Sequence, residues 1–285
     1  MKLARFSQAS VDGVRIGRVE GDTIIDLSAL LGVNASMRHL IANLEALKGQ
    51  LDAIKTPIHK LSDVTLEAPI NDPQKYLAIG MNYKEHAEEA RAAGITIPTS
   101  QMWFNKQVSC INGPFAPVVK WDAVEKCDYE IELAVVIGKK CHQVKREDAR
   151  SVVAGYMVSN DVSARDWLPK SPTFTLGKSW DTHGPIGPWI TTDDEIEDPL
   201  NLEMKLWINN ELRQNHRTND MIYNIWDQIA YLTQVMTLEP GDIIATGTPS
   251  GIGAPKGIFL QPGDVMRLEI EGLGTIENPV VAEKA

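Results

Sequence analysis

The chain has 285 residues, long for one compact core and short for three, so a large domain with a smaller companion is expected. With 43% hydrophobic and 23% charged residues the balance is that of a globular chain, and a formal net charge of −10 has the wrong sign for a protein that grips nucleic acid by its phosphates. No apolar run approaches the ~20 residues of a membrane span, no secretory apolar stretch follows Met1, and three cysteines are too few to staple the fold, so a cytoplasmic setting is expected.

Residues 1–68 read as a small N-terminal α/β module. Apolar stretches there alternate with the turn signals Asp12-Gly13 and Gly21-Asp22, which predicts two hairpins. Leu40, Leu44, Leu47, Leu51 and Ile54 recur at helical spacing and predict one amphipathic helix, ended by the Thr56-Pro57 step. A Pro-containing linker from Ala68 to Pro73 leads into the larger domain, residues 69–285.

In that domain Tyr76–Gly80 predicts a buried strand, and Asn82 opens a helix that stops near Gly94. The alternation from Tyr129 to Gly138 predicts a strand, as do the stretches beginning at Gly155, Trp189, Leu202, Asp242 and Val265. One clear amphipathic helix interrupts them, with Met221, Ile222, Ile225, Trp226, Ile229 and Leu232 on one face and Thr218 or Asn219 as its cap. The fold class is therefore α+β with β dominant, not the regular βαβ alternation of a dinucleotide-binding sheet.

Some chemical signals fail on spacing. Leu176-Gly177-Lys178-Ser179 looks like the end of a phosphate-binding loop, but the glycine required five residues before Gly177 is Pro172. The glycines from Gly247 to Gly257 miss the dinucleotide fingerprint at Lys256. Cys127, Cys141 and His142 lack a paired zinc-ligand spacing, and Asp193-Asp194-Glu195 reads as a solvated turn.

The constellation that carries chemistry is acidic. On a strand Glu130 and Glu132 project from one face, about 7 Å apart at the backbone, while Ile131, Leu133, Val135 and Ile137 point to the core. Two adjacent like charges on an otherwise apolar strand form either a solvated polar face or the start of a cation site. Asp161 follows a short apolar strand, as a turn cap or as a third carboxylate on a rigid element. Three carboxylates completed by water suit Mg²⁺ or Mn²⁺ better than an all-protein calcium cage. His86 and Glu89 share a helix face, as a surface salt pair or as an imidazole oriented by a carboxylate to act on water. Lys178 is a snorkelling surface lysine or a substrate-binding cation, and the segment Thr246–Gly253 is a tight loop or an anion-binding one.

Taken in order, Gly80-Met-Asn-Tyr-Lys-Glu-His-Ala-Glu-Glu, Tyr129-Glu-Ile-Glu-Leu, Asn160-Asp-Val-Ser-Ala-Arg-Asp, Leu176-Gly-Lys-Ser, Gly184-Pro-Ile-Gly-Pro and Thr246-Gly-Thr-Pro-Ser-Gly-Ile-Gly resemble the fumarylacetoacetate hydrolase family over about residues 75–280. The resemblance implies a mixed β-roll, usually a homodimer, with a lid-like segment around His86. It also implies a Mg²⁺ or Mn²⁺ ion held by Glu130, Glu132 and Asp161, and water activation by His86 with Glu89. Lys178 would stand beside the substrate oxyanion, and Arg165, Lys178 and Thr248 would hold the substrate. Where eukaryotic fumarylacetoacetases place a metal-binding aspartate this chain has Asn82. Within the family the chain most resembles hydrolases of 2,4-diketo-3-deoxy sugar acids such as the L-rhamnonate, which release pyruvate and L-lactate by C3–C4 cleavage. Decarboxylation of an oxaloacetate-type acid and enol–keto isomerisation are the alternatives on the same scaffold. A non-catalytic metal-binding protein is the alternative outside it. The partner implied is a small diketo acid, with neither nucleic acid nor membrane.

Overall fold

The computed structural model describes every residue except Ser10, Ala93, Ile95 and Ala285. The two expected hairpins are present as β1 (Lys2–Gln8), β2 (Val11–Glu20) and β3 (Thr23–Asp26), paired antiparallel in sequence order. After a helical turn, α1 (Ser28–Leu31), the expected single helix is two, α2 (Met37–Ala42) and α3 (Leu44–Ala53). The break falls at Asn43, whose side-chain amide donates to the His39 carbonyl at 2.8 Å and so competes with the helical ladder. The periodicity survives because both pieces face one core: Leu40 and Leu51 are buried in it, and Leu44, Leu47 and Ile54 pack against it. β4 (Ile58–Lys60) and β5 (Thr65–Glu67) complete this part.

The chain continues through β6 (Tyr76–Gly80), α4 (Lys84–Ala92), β7 (Met102–Asn105), β8 (Ile111–Asn112), β9 (Val118–Lys120) and β10 (Cys127–Asp128). Then come β11 (Ile131–Ile137), β12 (Val153–Asn160), β13 (Ser163–Ala164), α5 (Thr175–Lys178) and β14 (Gly184–Thr192). β15 (Glu203–Ile208), β16 (Glu211–Arg217), α6 (Ile225–Val235), β17 (Ile243–Ala245), β18 (Val265–Ile270) and β19 (Gly274–Ala282) close the fold. The β-dominant α+β class is as expected.

The main sheet runs β4-β3-β2-β1-β14-β12-β11-β17-β6-β7, so the N-terminal strands extend the sheet that carries the later ones. The join is β1 against β14, with Lys2 opposite Thr191. A second sheet runs β16-β15-β18-β19-β9. At the centre, β11 is buried on both faces. Ile131, Leu133, Val135 and Ile137 enter a core shared with α6 and the second sheet, as the alternation predicts. Ala134 and Val136 enter the other core, shared with Leu3, Leu40 and Leu51. A polar residue on this strand therefore has no solvent face to fall back on.

α6 and β16 differ from expectation. α6 starts at Ile225 and is capped by Asn224, in a reciprocal capping box with Asp227, rather than by Thr218 or Asn219. The Thr218 hydroxyl is already donated to the Pro199 carbonyl at 2.9 Å and the Asn219 amide to Asn201 at 3.0 Å. β16 was not expected, because only Gln214 of its residues is fully buried and an edge strand this polar gives no apolar alternation to read. Among the described residues no helix is long and apolar enough to cross a membrane.

Candidate active site

The site is built where β11 and β12 meet at one end. Their antiparallel register sets Ile131 opposite Asn160, which brings Glu130, Glu132 and Asp161 together from either side of that pair. Glu130 lies just before the strand rather than within it. Its amide is pinned by the Asn160 side chain at 3.0 Å, and its carbonyl accepts the Asp161 amide at 2.9 Å. One oxygen of each carboxylate lies within 4.8 Å of one from each of the others, and all three residues are buried. Among the described residues this is the one group of three or more His, Cys, Asp or Glu side chains so placed.

Burial alone opposes ionisation of Glu130, but the ammonium of Lys178 and the guanidinium of Arg165 outweigh it and hold the carboxyl at about 2. Among the described residues no cation makes an ion pair with Glu132, and only the more distant ammonium of Lys178 draws it down. Burial first, then the charges of Asp161 and Glu130, push it well above the usual carboxylate range, against a 3.0 Å bond from the Gly247 amide. Hard oxygen donors, buried and short of positive charge at Glu132, suit a divalent cation such as Mg²⁺ or Mn²⁺. Glu132→Gln is expected to weaken Mn²⁺ binding by at least about tenfold, the smallest loss typical of even an outer-shell partner, with the far-ultraviolet circular dichroism unchanged. Isothermal calorimetry checks this; wild-type affinity in the variant would remove Glu132 from the ligand set.

Lys178, at the end of α5, is buried and not a surface lysine. Its Nζ donates to Glu130 Oε2 at 2.8 Å and Asp161 Oδ2 at 2.5 Å. Arg165 places Nε 2.8 Å from Asp128 Oδ2 and a terminal nitrogen 2.6 Å from Glu130 Oε1. Thr248 accepts the Gln214 side-chain amide at 2.9 Å. His86 Nδ1 and Glu89 Oε2 face each other at 3.6 Å, and among the described residues neither atom has a hydrogen-bond partner. The imidazole draws Glu89 below its ordinary range.

Glu130, Glu132, Arg165, Lys178, Thr248 and His86 line one cavity of about 110 Å³, walled on its apolar side by Met102, Phe104, Leu168 and Phe174. Glu89 stands behind His86, and Asp161 lies fully buried behind Lys178. Larger hollows of about 680, 440 and 350 Å³ lie elsewhere, but the carboxylate cluster and the histidine are in the small one, and we place the site there.

Asn82 is not a metal ligand. Its amide donates to the Tyr223 carbonyl at 3.0 Å and the Thr246 carbonyl at 2.7 Å, while its oxygen accepts the Tyr223 amide at 2.9 Å. An aspartate could not make the two donations. Asn82 thus joins the entry of α4 to two loops, and the helix begins two residues later than expected.

Sequence reading missed four supporting residues. Lys106, wholly buried, donates to Asp161 Oδ1 at 2.6 Å and to the carbonyls of Lys178 and His183 at 2.6 and 3.0 Å. It follows directly on the strand Met102–Asn105, and that position alone carries no signal. Asp128 accepts the amides of Gly253 and Ala254 and so fixes the loop after β17. Gln214 bridges the Ile131 amide to Thr248, and Asn160 holds Glu130 as described.

The profile described as fumarylacetoacetate (FAA) hydrolase C-terminal matches residues 75–281. The mitochondrial oxaloacetate tautomerase fahd2 of Xenopus laevis is 40% identical over 292 residues, 99% of this chain and 90% of that protein. Human oxaloacetate tautomerase FAHD2B, also mitochondrial, is 42% identical over 233 residues, 80% of this chain and 73% of that one. The solved structure of maleylpyruvate hydrolase from Sphingobium sp. SYK-6, in complex with manganese(II) and pyruvate, matches with a TM-score of 0.86 at 38% identity over 100% of both chains. Fumarylacetoacetate hydrolase from Exiguobacterium antarcticum matches at 0.84 and 35% identity, over 99% of this chain and 100% of that one. The chain belongs to the fumarylacetoacetate hydrolase family. These relatives are named as oxaloacetate tautomerases, a maleylpyruvate hydrolase and a fumarylacetoacetate hydrolase, not as sugar-acid hydrolases, so the finer resemblance to diketo-deoxy sugar acid hydrolases finds no support among them.

Proposed function

We propose that this protein is a Mg²⁺- or Mn²⁺-dependent hydrolase of short 2,4-diketo acids of the acylpyruvate type, cleaving the C3–C4 bond to release pyruvate. The observation that carries the reading is His86, which lines the cavity that also holds Glu130, Glu132 and Lys178, with Glu89 3.6 Å behind its Nδ1. 2,4-Diketo-3-deoxy-L-rhamnonate, giving pyruvate and L-lactate, is the particular substrate proposed.

A bound divalent cation supplies Lewis acidity and a template for the substrate's carboxylate and 2-keto oxygen. His86, oriented by Glu89, takes a proton from water as the oxygen bonds to C4. Lys178 donates to the oxyanion that develops there. The C3–C4 pair then leaves with C3, C4 becomes a carboxylic acid, and the proton held by His86 is returned to C3. Arg165 and Thr248 hold the substrate. We further propose a homodimer. Three buried free thiols suit a reducing setting, and the cytoplasm is proposed.

The names of the curated relatives favour a second reading, oxaloacetate keto–enol tautomerisation or decarboxylation, which needs the same carboxylates and a proton carrier but no attacking water. A panel of acylpyruvates, the diketo-rhamnonate and oxaloacetate separates the two, with pyruvate release and enol decay followed in parallel. Pyruvate from the diketo acids is the expected result; enol decay of oxaloacetate without diketo cleavage would transfer the assignment to the tautomerase.

A further inference from the structure

We propose that Glu85, Ser250 and His216 form a latch that positions the His86–Glu89 pair over the carboxylate cavity. Only the kinetic part of its test rests on the hydrolytic reading. Within α4 the buried residues are Ala87 and Ala90, two of the smallest side chains, so apolar packing does little to set the roll of the helix about its axis. That roll decides where the His86 imidazole points. The segment just before the helix is tied by Asn82 and by the Tyr83–Met221 bridge. The first turn itself is held by polar contacts.

Ser250 Oγ lies 3.0 Å from Glu85 Oε2 and 3.0 Å from His216 Nε2. A carboxylate only accepts, so the hydroxyl proton goes to Glu85 and His216 presents Nε2–H to the hydroxyl. His216 Nδ1 is also 3.6 Å from the same Glu85 oxygen. The chain of donors therefore runs from His216 through Ser250 to the residue next to His86.

The other ends of this chain are fixed to the site. Ser250 belongs to the loop whose Gly247 amide donates to Glu132 Oε2 at 3.0 Å and whose Thr248 lines the cavity. His216 sits two residues along β16 from Gln214 and thus on the same face of the strand. Gln214 grips the same loop at Thr248 Oγ1 and the Pro249 carbonyl, both at 2.9 Å. One loop supports Glu132 below and, through Glu85, holds His86 above, so the latch sets the spacing between the imidazole and the carboxylates.

Hydrogen–deuterium exchange of the amides of residues 84–92, measured on the full chain, tests this. Glu85→Ala and Ser250→Ala should each speed exchange there about tenfold, the size of one lost hydrogen bond, with the β11 and β12 amides unchanged. Glu85→Gln keeps an acceptor oxygen and should restore near wild-type protection. Alanine is the better helix former, so faster exchange in Glu85→Ala cannot come from helix propensity. With an acylpyruvate, Glu85→Ala should lose about tenfold in kcat with KM and Mn²⁺ affinity unchanged, and Glu85→Gln should recover it. Glu85 is 61% exposed, so these two variants carry the test even if Ser250→Ala does not fold. Wild-type exchange in Glu85→Ala, or no recovery in Glu85→Gln, overturns the latch. A wild-type protein that turns over no keto acid strikes the proposed function instead, and exchange alone then supports or overturns the latch.

Discussion

His86→Ala is expected to lower kcat for pyruvate release by about 10²–10⁴-fold, the usual contribution of a general base, while Mn²⁺ affinity stays at the wild-type value. The separation follows from position. His86 lies on α4 across the cavity from strand-anchored carboxylates, and its Nδ1 faces Glu89 rather than the cluster. Steady-state kinetics and calorimetry on the same preparation read both quantities. An unchanged kcat would dispose of the pair as a water-activating device.

Lys178→Met has two expected effects of different origin. In the metal-free protein the substitution leaves Glu130 Oε2 and Asp161 Oδ2 without their ammonium, while Arg165 still pairs with Glu130 and Lys106 with Asp161, so the cost stays below the about 3–5 kcal/mol of a buried charge left wholly unpaired. Chemical denaturation should show that loss, and added Mn²⁺ should recover part of it by restoring positive charge. In turnover, an ammonium that meets the oxyanion matters more in the transition state than in the ground state, so kcat should fall by about 10²–10³-fold with little change in KM. A KM increase at constant kcat would instead make Lys178 a binding group for the substrate carboxylate. No effect on either constant would take it out of the reaction.

How much of this was legible in the sequence follows from which interactions are local. Glu130 and Glu132 are two apart beside an apolar run, and period-two geometry alone puts them on one side. Asp161 needed a register, Ile131 opposite Asn160, that no local pattern prints. Lys106 shows the limit more sharply. It reaches a carboxylate 55 positions later and a carbonyl 77 positions later, and nothing near it in the chain distinguishes it from a surface lysine. Gln214 and His216 were hidden for another reason: they sit on an edge strand whose polar composition is set by what it grips rather than by what it buries. The helix break at Asn43 was masked by the persistence of leucine spacing across it, since two short helices can present one face as well as a long one.

The pairing of β1 has a consequence for the order in which the protein assembles. One edge of β1 is filled by β2 and part of the other by β5, at Arg5–Ser7, all within residues 2–67. The rest of that edge, Lys2 and Leu3, waits for Thr191 and Ile190. Synthesis thus delivers the N-terminal strands early, with a two-residue gap at the border, and that gap is closed only after β14 and the strands carrying the three carboxylates have emerged. β14 then lies between β1 on one side and β12, with Asp161 just past its end, on the other, and β17 enters the same sheet later still, between β11 and β6. The acidic cluster needs only the β11–β12 pairing, whereas the sheet is closed by long-range pairings on either side of it, the kind that sets a slow folding rate.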